Sequence, residues 1–196
     1  MYGFLVSLVR VFSHLFLNIK IDGKENIPKQ QGGFMVACNH QSFWDPVLVA
    51  ITLRGKYSFM AKAELFNHKL FGWLIKKIGA FPVQRGSGDM KPINQAIDSI
   101  KDGRIFIIFP EGTRSKDGKL GRGRSGVVVI AGMSNADLLP MAIKYSGKVR
   151  FRSKVHIKIG KIIPTNELII TDNDRHQIRN ASSRIMSDIA SLLEDA

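Results

Sequence analysis

A chain of 196 residues is long enough to bury a sizeable core and too short to invite a second domain. Hydrophobic residues at 44% and charged residues at 23% match ordinary globular usage, which excludes a disordered chain and a multi-span membrane protein. The 29 Lys and Arg against 16 Asp and Glu give a formal net charge of +13, which attracts polyanions: nucleic acid, anionic lipid or phosphorylated substrates.

In chain order, Tyr2 to Ile19 is apolar but interrupted by Ser7, Arg10, His14 and Asn18, three or four apart, as on one face of a helix. The stretch is short of the about 20 apolar residues a spanning helix wants, and it carries a charge in its middle. No small-residue cleavage site follows it, as a signal peptide would require. Residues 1–19 are therefore expected to form an amphipathic membrane-associating helix lying in the interface, ahead of an α/β domain over 20–196. A helix that only caps the core is the plainer alternative, and a true span is the other.

Phe34 to Cys38 reads as a strand that runs out into Asn39-His40-Gln41-Ser42. Cys38 is the only cysteine, so no internal disulfide exists; a small buried residue at a strand end is its expected role. A helix follows, with Asp45 as a candidate N-cap, Pro46 at its first position and Gly55 closing it. Leu65 to Ile78 repeats apolar residues at helical spacing before Gly79, and Ala80 to Val83 is a strand. Another helix runs from Pro92 to Gly103, then a buried strand from Ile105 to Phe109. Gly126 to Met133 is β-branched enough for a strand, but the alternation favours a helix. Lys148 to Ile159 has period two, with Lys148, Arg150, Arg152, Lys154, His156 and Lys158 on one face, as in a half-exposed strand. Asp174 to Leu193 reads as an amphipathic helix. The pattern predicts one α/β domain with a mixed, mainly parallel sheet flanked by helices.

Three strands end in polar clusters: Asn39-His40, Gln84-Arg85 and Glu111-Gly112-Thr113-Arg114. In open parallel sheets ligands bind beyond the carboxyl ends of strands, so these clusters are expected to share a basic crevice. On one helix, five residues of separation would turn His40 and Asp45 about 140° apart, but a strand-to-helix turn brings them together. A carboxylate on one imidazole nitrogen then leaves the other to take a proton from a hydroxyl. The Glu111 to Ser115 turn offers a permissive glycine, hydroxyls and a guanidinium suited to phosphate, although an ordinary solvated loop has the same composition.

Four segments taken together, Asn39-His40-Gln41-Ser42-Phe43-Trp44-Asp45, Phe81-Pro82-Val83-Gln84-Arg85-Gly86, Phe109-Pro110-Glu111-Gly112-Thr113-Arg114-Ser115 and Leu139-Pro140-Met141-Ala142-Ile143, resemble the glycerolipid acyltransferase family, in particular its bacterial 1-acyl-sn-glycerol-3-phosphate acyltransferases. The resemblance spans about Ile21 to Lys161 and rests mostly on the pairing of H-x-x-x-x-D with F-P-E-G-T-R-S. It implies that His40 is the general base, that Asp45 orients it, and that the acceptor hydroxyl attacks an acyl thioester directly. Arg85, Glu111, Gly112, Thr113 and Arg114 would hold the acceptor, its phosphate on the arginines, with Glu111 anchoring either the turn or an acceptor hydroxyl. Where the family often has an aromatic-Lys-x-Gly run this chain has Leu120-Gly121-Arg122-Gly123, so Arg122 is expected to supply that cation. The implied product is phosphatidic acid. The donor would be acyl-coenzyme A or acyl-acyl carrier protein, with no further cofactor and no metal. An anionic membrane surface would be the partner, at the cytoplasmic face of the cell membrane, with peripheral or monotopic attachment. Acylation of another glycerol- or lyso-lipid is the nearest alternative. A non-catalytic lipid-binding module or a nucleic-acid-binding domain is more distant, since the basic strand carries no aromatics on its exposed face for base stacking.

Overall fold

The computed structural model describes residues 2–29, 32–84, 88–115, 117–168 and 174–196. Among these residues seven strands form one sheet: β1 (Leu17–Asp22), β2 (Phe34–Cys38), β3 (Tyr57–Lys62), β4 (Ala80–Val83), β5 (Ile105–Ile108), β6 (Leu138–Tyr145) and β7 (Ser153–Ile159). Their spatial order is β1-β7-β6-β2-β5-β3-β4, and only the β6–β7 pairing is antiparallel. The expected mixed, mainly parallel α/β domain is therefore what the chain forms.

Six helices among the described residues cover both faces: α1 (Tyr2–Phe16), α2 (Asp45–Thr52), α3 (Lys69–Lys77), α4 (Lys91–Lys101), α5 (Gly126–Ser134) and α6 (Arg175–Glu194). The pleat sends alternate residues of β2 to opposite layers. Phe34, Val36 and Cys38 pack with Val9 of α1, Leu48 of α2 and Ile75 of α3, while Met35 and Ala37 pack with Ile97 of α4, Val128 of α5 and Ile185 of α6. Burial on both faces is why β2 reads as an unbroken apolar run. The β-branched run Val127 to Ile130 is helical, as the alternation favoured, because a helix there covers the second layer.

Several expectations need correction. The helix read as running to Ile19 ends at Phe16; Leu17, Asn18 and Ile19 belong to β1, whose register against β7 pairs Leu17 with Ser153 and Asp22 with Lys158. Nor do all the polar residues of α1 share an outward face. Arg10 turns inward, its guanidinium donating to the carbonyls of Ile51 (3.0 Å) and Leu53 (3.3 Å) at the C-terminus of α2, where a cation meets the negative end of the helix dipole. Ser7 and His14 do stay exposed, but Leu8, Val11, Phe12 and Leu15 are exposed beside them.

Asp45 is not the N-cap of α2; Trp44 holds that place and the helix stops at Leu53, before Gly55. The Leu65 to Ile78 helix divides into a 3-10 turn, Ala63–Asn67, and α3. Gly79 (φ 98°) does take the left-handed conformation; a Cβ there would stand 2.0 Å from the Tyr57 carbonyl oxygen. The basic period-two strand is shorter than read: β7 begins at Ser153, and Arg152 (φ 62°) sits in the turn before it, so only Lys154, His156 and Lys158 of the basic row lie on the strand.

Candidate active site

Strand β2 ends at Cys38, and the next side chain holds it in place. Asn39, buried, donates through Nδ2 to the Ile143 carbonyl (2.9 Å) and accepts the Ile143 amide through Oδ1 (2.8 Å), so a side chain extends the β2–β6 ladder. His40 follows on this fixed base. Its Nδ1 lies 2.8 Å from Oδ2 of Asp45, a fully buried carboxylate.

Asp45 is saturated with donors. Oδ2 also accepts the amides of Gln41 (2.6 Å) and Ser42 (2.7 Å), and Oδ1 accepts the phenol of Tyr145 (2.5 Å) from the end of β6. The carboxylate thus closes the turn before the helix rather than capping the helix itself. These bonds require its ionised, acceptor form, which fixes a proton on Nδ1 of His40 and leaves Nε2 as the nitrogen available to a substrate. Burial and the neighbouring Asp45 charge push the Tyr145 phenol far above its usual range, so it stays a donor. Tyr145→Phe strands a buried carboxylate oxygen, at about 1–3 kcal/mol. Its expected result is a fall in kcat of about tenfold with the acceptor KM unchanged, measured by steady-state kinetics beside thermal melting.

The Phe109 to Ser115 segment clamps His40 from the other side. Glu111 Oε1 accepts the His40 amide (2.7 Å), Oε2 accepts the Gly121 amide (2.9 Å), and the Ser115 amide donates to the His40 carbonyl (2.8 Å). The Phe109 ring stacks on the imidazole with centroids 4.1 Å apart and planes at 21°, fixing its tilt. Gly112 has φ 69°, and a Cβ on it would come within 2.6 Å of Arg124 Nε. Only glycine lets Arg124 pack here, where its Nε donates to the Glu111 carbonyl (3.3 Å).

His40 lines a cavity of about 1000 Å³ walled chiefly by apolar side chains from α1, α2, α3 and the strand ends. Gly112, Thr113, Arg114 and Arg124 also line it, and the Arg114 guanidinium lies 3.6 Å above the Phe43 ring. Arg122 does not face this cavity. It lines a smaller adjoining one of about 320 Å³ with Glu111, Ser115 and Lys119, and Thr113 borders both. Arg85 lies outside the described residues, although Gln84 before it reaches the cavity wall. Cys38 sits in the core, where burial pushes its thiol well above the usual range and keeps it out of nucleophilic chemistry.

Asn39, Tyr145 and Arg124 are additions that the sequence reading did not single out. The one signal for Tyr145 is its place two residues after the Leu139 to Ile143 segment, on the same face of β6 as Ile143.

The chain belongs to the acyltransferase family, which matches residues 18–144. It is 39% identical over 166 residues to the 1-acyl-sn-glycerol-3-phosphate acyltransferase of Bacillus subtilis (strain 168), covering 82% of this chain and 81% of that one. Over 140 residues it is 32% identical to the lyso-ornithine lipid O-acyltransferase of Pseudomonas aeruginosa, covering 70% of this chain and 52% of that one. Among solved structures, the 1-acyl-sn-glycerophosphate acyltransferase PlsC from Thermotoga maritima superposes with a TM-score of 0.76 at 26% identity, over 97% of this chain and 80% of that one.

Proposed function

We propose that the protein transfers a fatty acyl chain from a thioester to the sn-2 hydroxyl of 1-acyl-glycerol-3-phosphate, forming phosphatidic acid. The observation that carries this reading is the His40–Asp45 contact of 2.8 Å on the wall of a large apolar cavity that also bears Arg114 and Arg124. Nε2 takes the hydroxyl proton as the oxygen attacks the thioester carbonyl, with Asp45 stabilising the imidazolium. When the C–S bond breaks, the imidazolium returns that proton to the leaving thiolate. The apolar wall suits the acyl chains, and the arginines suit the phosphate.

Membrane contact belongs to the same reading. Among the described residues no helix is long and apolar enough to cross a membrane, while the outward side of α1 exposes Leu8, Val11, Phe12 and Leu15. We place the protein on the cytoplasmic face of the membrane through this helix, drawn also by its net charge of +13.

The relative that acts on a lyso-ornithine lipid makes the acceptor the point to test. Purified protein is incubated with lysophosphatidate or a monoacylglycerol and with acyl-coenzyme A or acyl-acyl carrier protein, and diacyl product is measured by mass spectrometry. Efficient turnover of lysophosphatidate is expected, and product only from the phosphate-free acceptor would overturn the reading. Arg114→Lys keeps the charge but loses the two-pronged grip on phosphate, so efficiency with lysophosphatidate should fall about ten- to hundredfold. Monoacylglycerol turnover should not change. Equal losses on both acceptors would make Arg114 structural, and selective loss in Arg122→Ala alone would move the phosphate to the smaller cavity.

A further inference from the structure

The acyltransferase site does not explain the surface of α3. In a helix packed on a domain the large apolar residues face inward, yet here Gly72 and Ile75 are the buried ones, while Leu70 is 80% exposed and Trp73 56% exposed. A contiguous apolar face of this kind on a soluble domain marks a contact surface. Its flanks are cationic: Lys69, Lys76 and Lys77 are exposed, no acidic residue lies in the helix, and the Lys77 ammonium stands 5.8 Å from the Trp73 ring centre. Apolar and aromatic side chains bordered by lysines fit the headgroup boundary of an anionic bilayer, where the rings enter the interface and the ammonium groups meet lipid phosphates.

Its place in the fold supports the same occupant. Phe71 and Leu74 of α3 line the large cavity, as do Val6 and Val9 of α1, so the two helices with exposed apolar sides both wall the space assigned to acyl chains. We propose that α3 is a second membrane contact, lying on the surface of an anionic bilayer beside α1, so that lipid substrates pass into the cavity from the bilayer between the two helices. This rests on the proposed acyl transfer at that cavity. One weak anchor holds a protein only marginally; two together hold it stably.

Leu70 and Trp73 do not line the cavity, which separates docking from chemistry. The test uses the full chain with phosphatidylglycerol/phosphatidylcholine vesicles, comparing wild type with Leu70→Ser/Trp73→Ser and with Leu8→Ser/Leu15→Ser in α1. Each pair is expected to weaken co-sedimentation about tenfold or more, since each removes two large apolar groups from the interface. Turnover of a short-chain lysophosphatidate dissolved as monomers should stay at the wild-type level in the α3 pair. Lipids brominated near the headgroup should quench wild-type fluorescence more than that of Trp73→Phe, which keeps only Trp44. Unchanged co-sedimentation of the α3 pair, or equal quenching, overturns the proposal. So does a wild-type dimer in sedimentation velocity that the α3 pair makes monomeric while vesicle binding stays intact, because the face would then belong to a second copy. Absence of turnover on monomeric substrate in wild type would defeat the catalytic reading and leave the vesicle result to stand by itself.

Discussion

His40→Ala is expected to lower kcat by about 10³-fold or more, because no other described side chain on the cavity wall pairs an imidazole with a buried carboxylate, and a positioned general base contributes about 10²–10⁴-fold. The fold should survive. The imidazole is mostly buried but bonds through its side chain only to Asp45, while the segment's main chain is held independently by Glu111 and Ser115. Asp45→Asn then separates charge from geometry. An amide oxygen in the place of Oδ2 still accepts from Nδ1 and from the amides of Gln41 and Ser42, and the amide nitrogen donates to the Tyr145 oxygen, which accepts as readily as it donates. The tautomer is kept and only the charge that stabilises the imidazolium is lost, about 1.5–3 kcal/mol, or about ten- to hundredfold in kcat. Steady-state kinetics with circular dichroism on both variants checks this. Wild-type turnover in His40→Ala would end the mechanism.

How far the sequence reaches is best seen in α3 and in Asp45. The helical spacing of Phe66, Leu70, Phe71 and Leu74 was legible, but not which side of the helix is buried. A Cβ at Gly72 would lie 2.8 Å from the Phe66 carbonyl oxygen, so the helix packs by its smallest residue and leaves its largest outside. Periodicity carries no information about that choice. Strand β1 escaped for a related reason: Leu17–Asp22 continues the apolar character of α1, and the edge position of β1 leaves Asn18 and Lys20 outside the pattern of a buried strand. The chemistry was clearer than its setting. His40 and Asp45 are local in sequence and their turn could be reasoned out, as could the buried place of Cys38. Tyr145 lies 100 positions from Asp45, and only the parallel pairing of β2 with β6 brings it there. The reading of Asp45 as a cap found the right motive, a carboxylate seeking backbone amides, but the amides precede it in the chain.

Glu111→Gln should reveal whether this carboxylate touches the acceptor or positions the base. Both of its oxygens are engaged by backbone amides, of His40 at 2.7 Å and Gly121 at 2.9 Å, and the residue is only 6% exposed. A glutamine there must turn an NH₂ toward one of those N–H groups, placing donor against donor, and its remaining oxygen accepts without charge. Each bond to a charged acceptor contributes about 1.5–3 kcal/mol, so a net loss of about 3 kcal/mol is expected. For a chain of this length that is a fall of about 6–12 °C in Tm. The kinetic signature separates the two roles. If Glu111 positions His40 through its amide, releasing that amide moves the imidazole by a fraction of an ångström to about 1 Å, and kcat falls about a hundredfold with acceptor KM unchanged. If Glu111 instead holds an acceptor hydroxyl, KM rises while kcat is largely kept. The geometry favours the first outcome, since neither carboxylate oxygen is left without a backbone partner, and a raised KM at wild-type kcat and Tm would refute it.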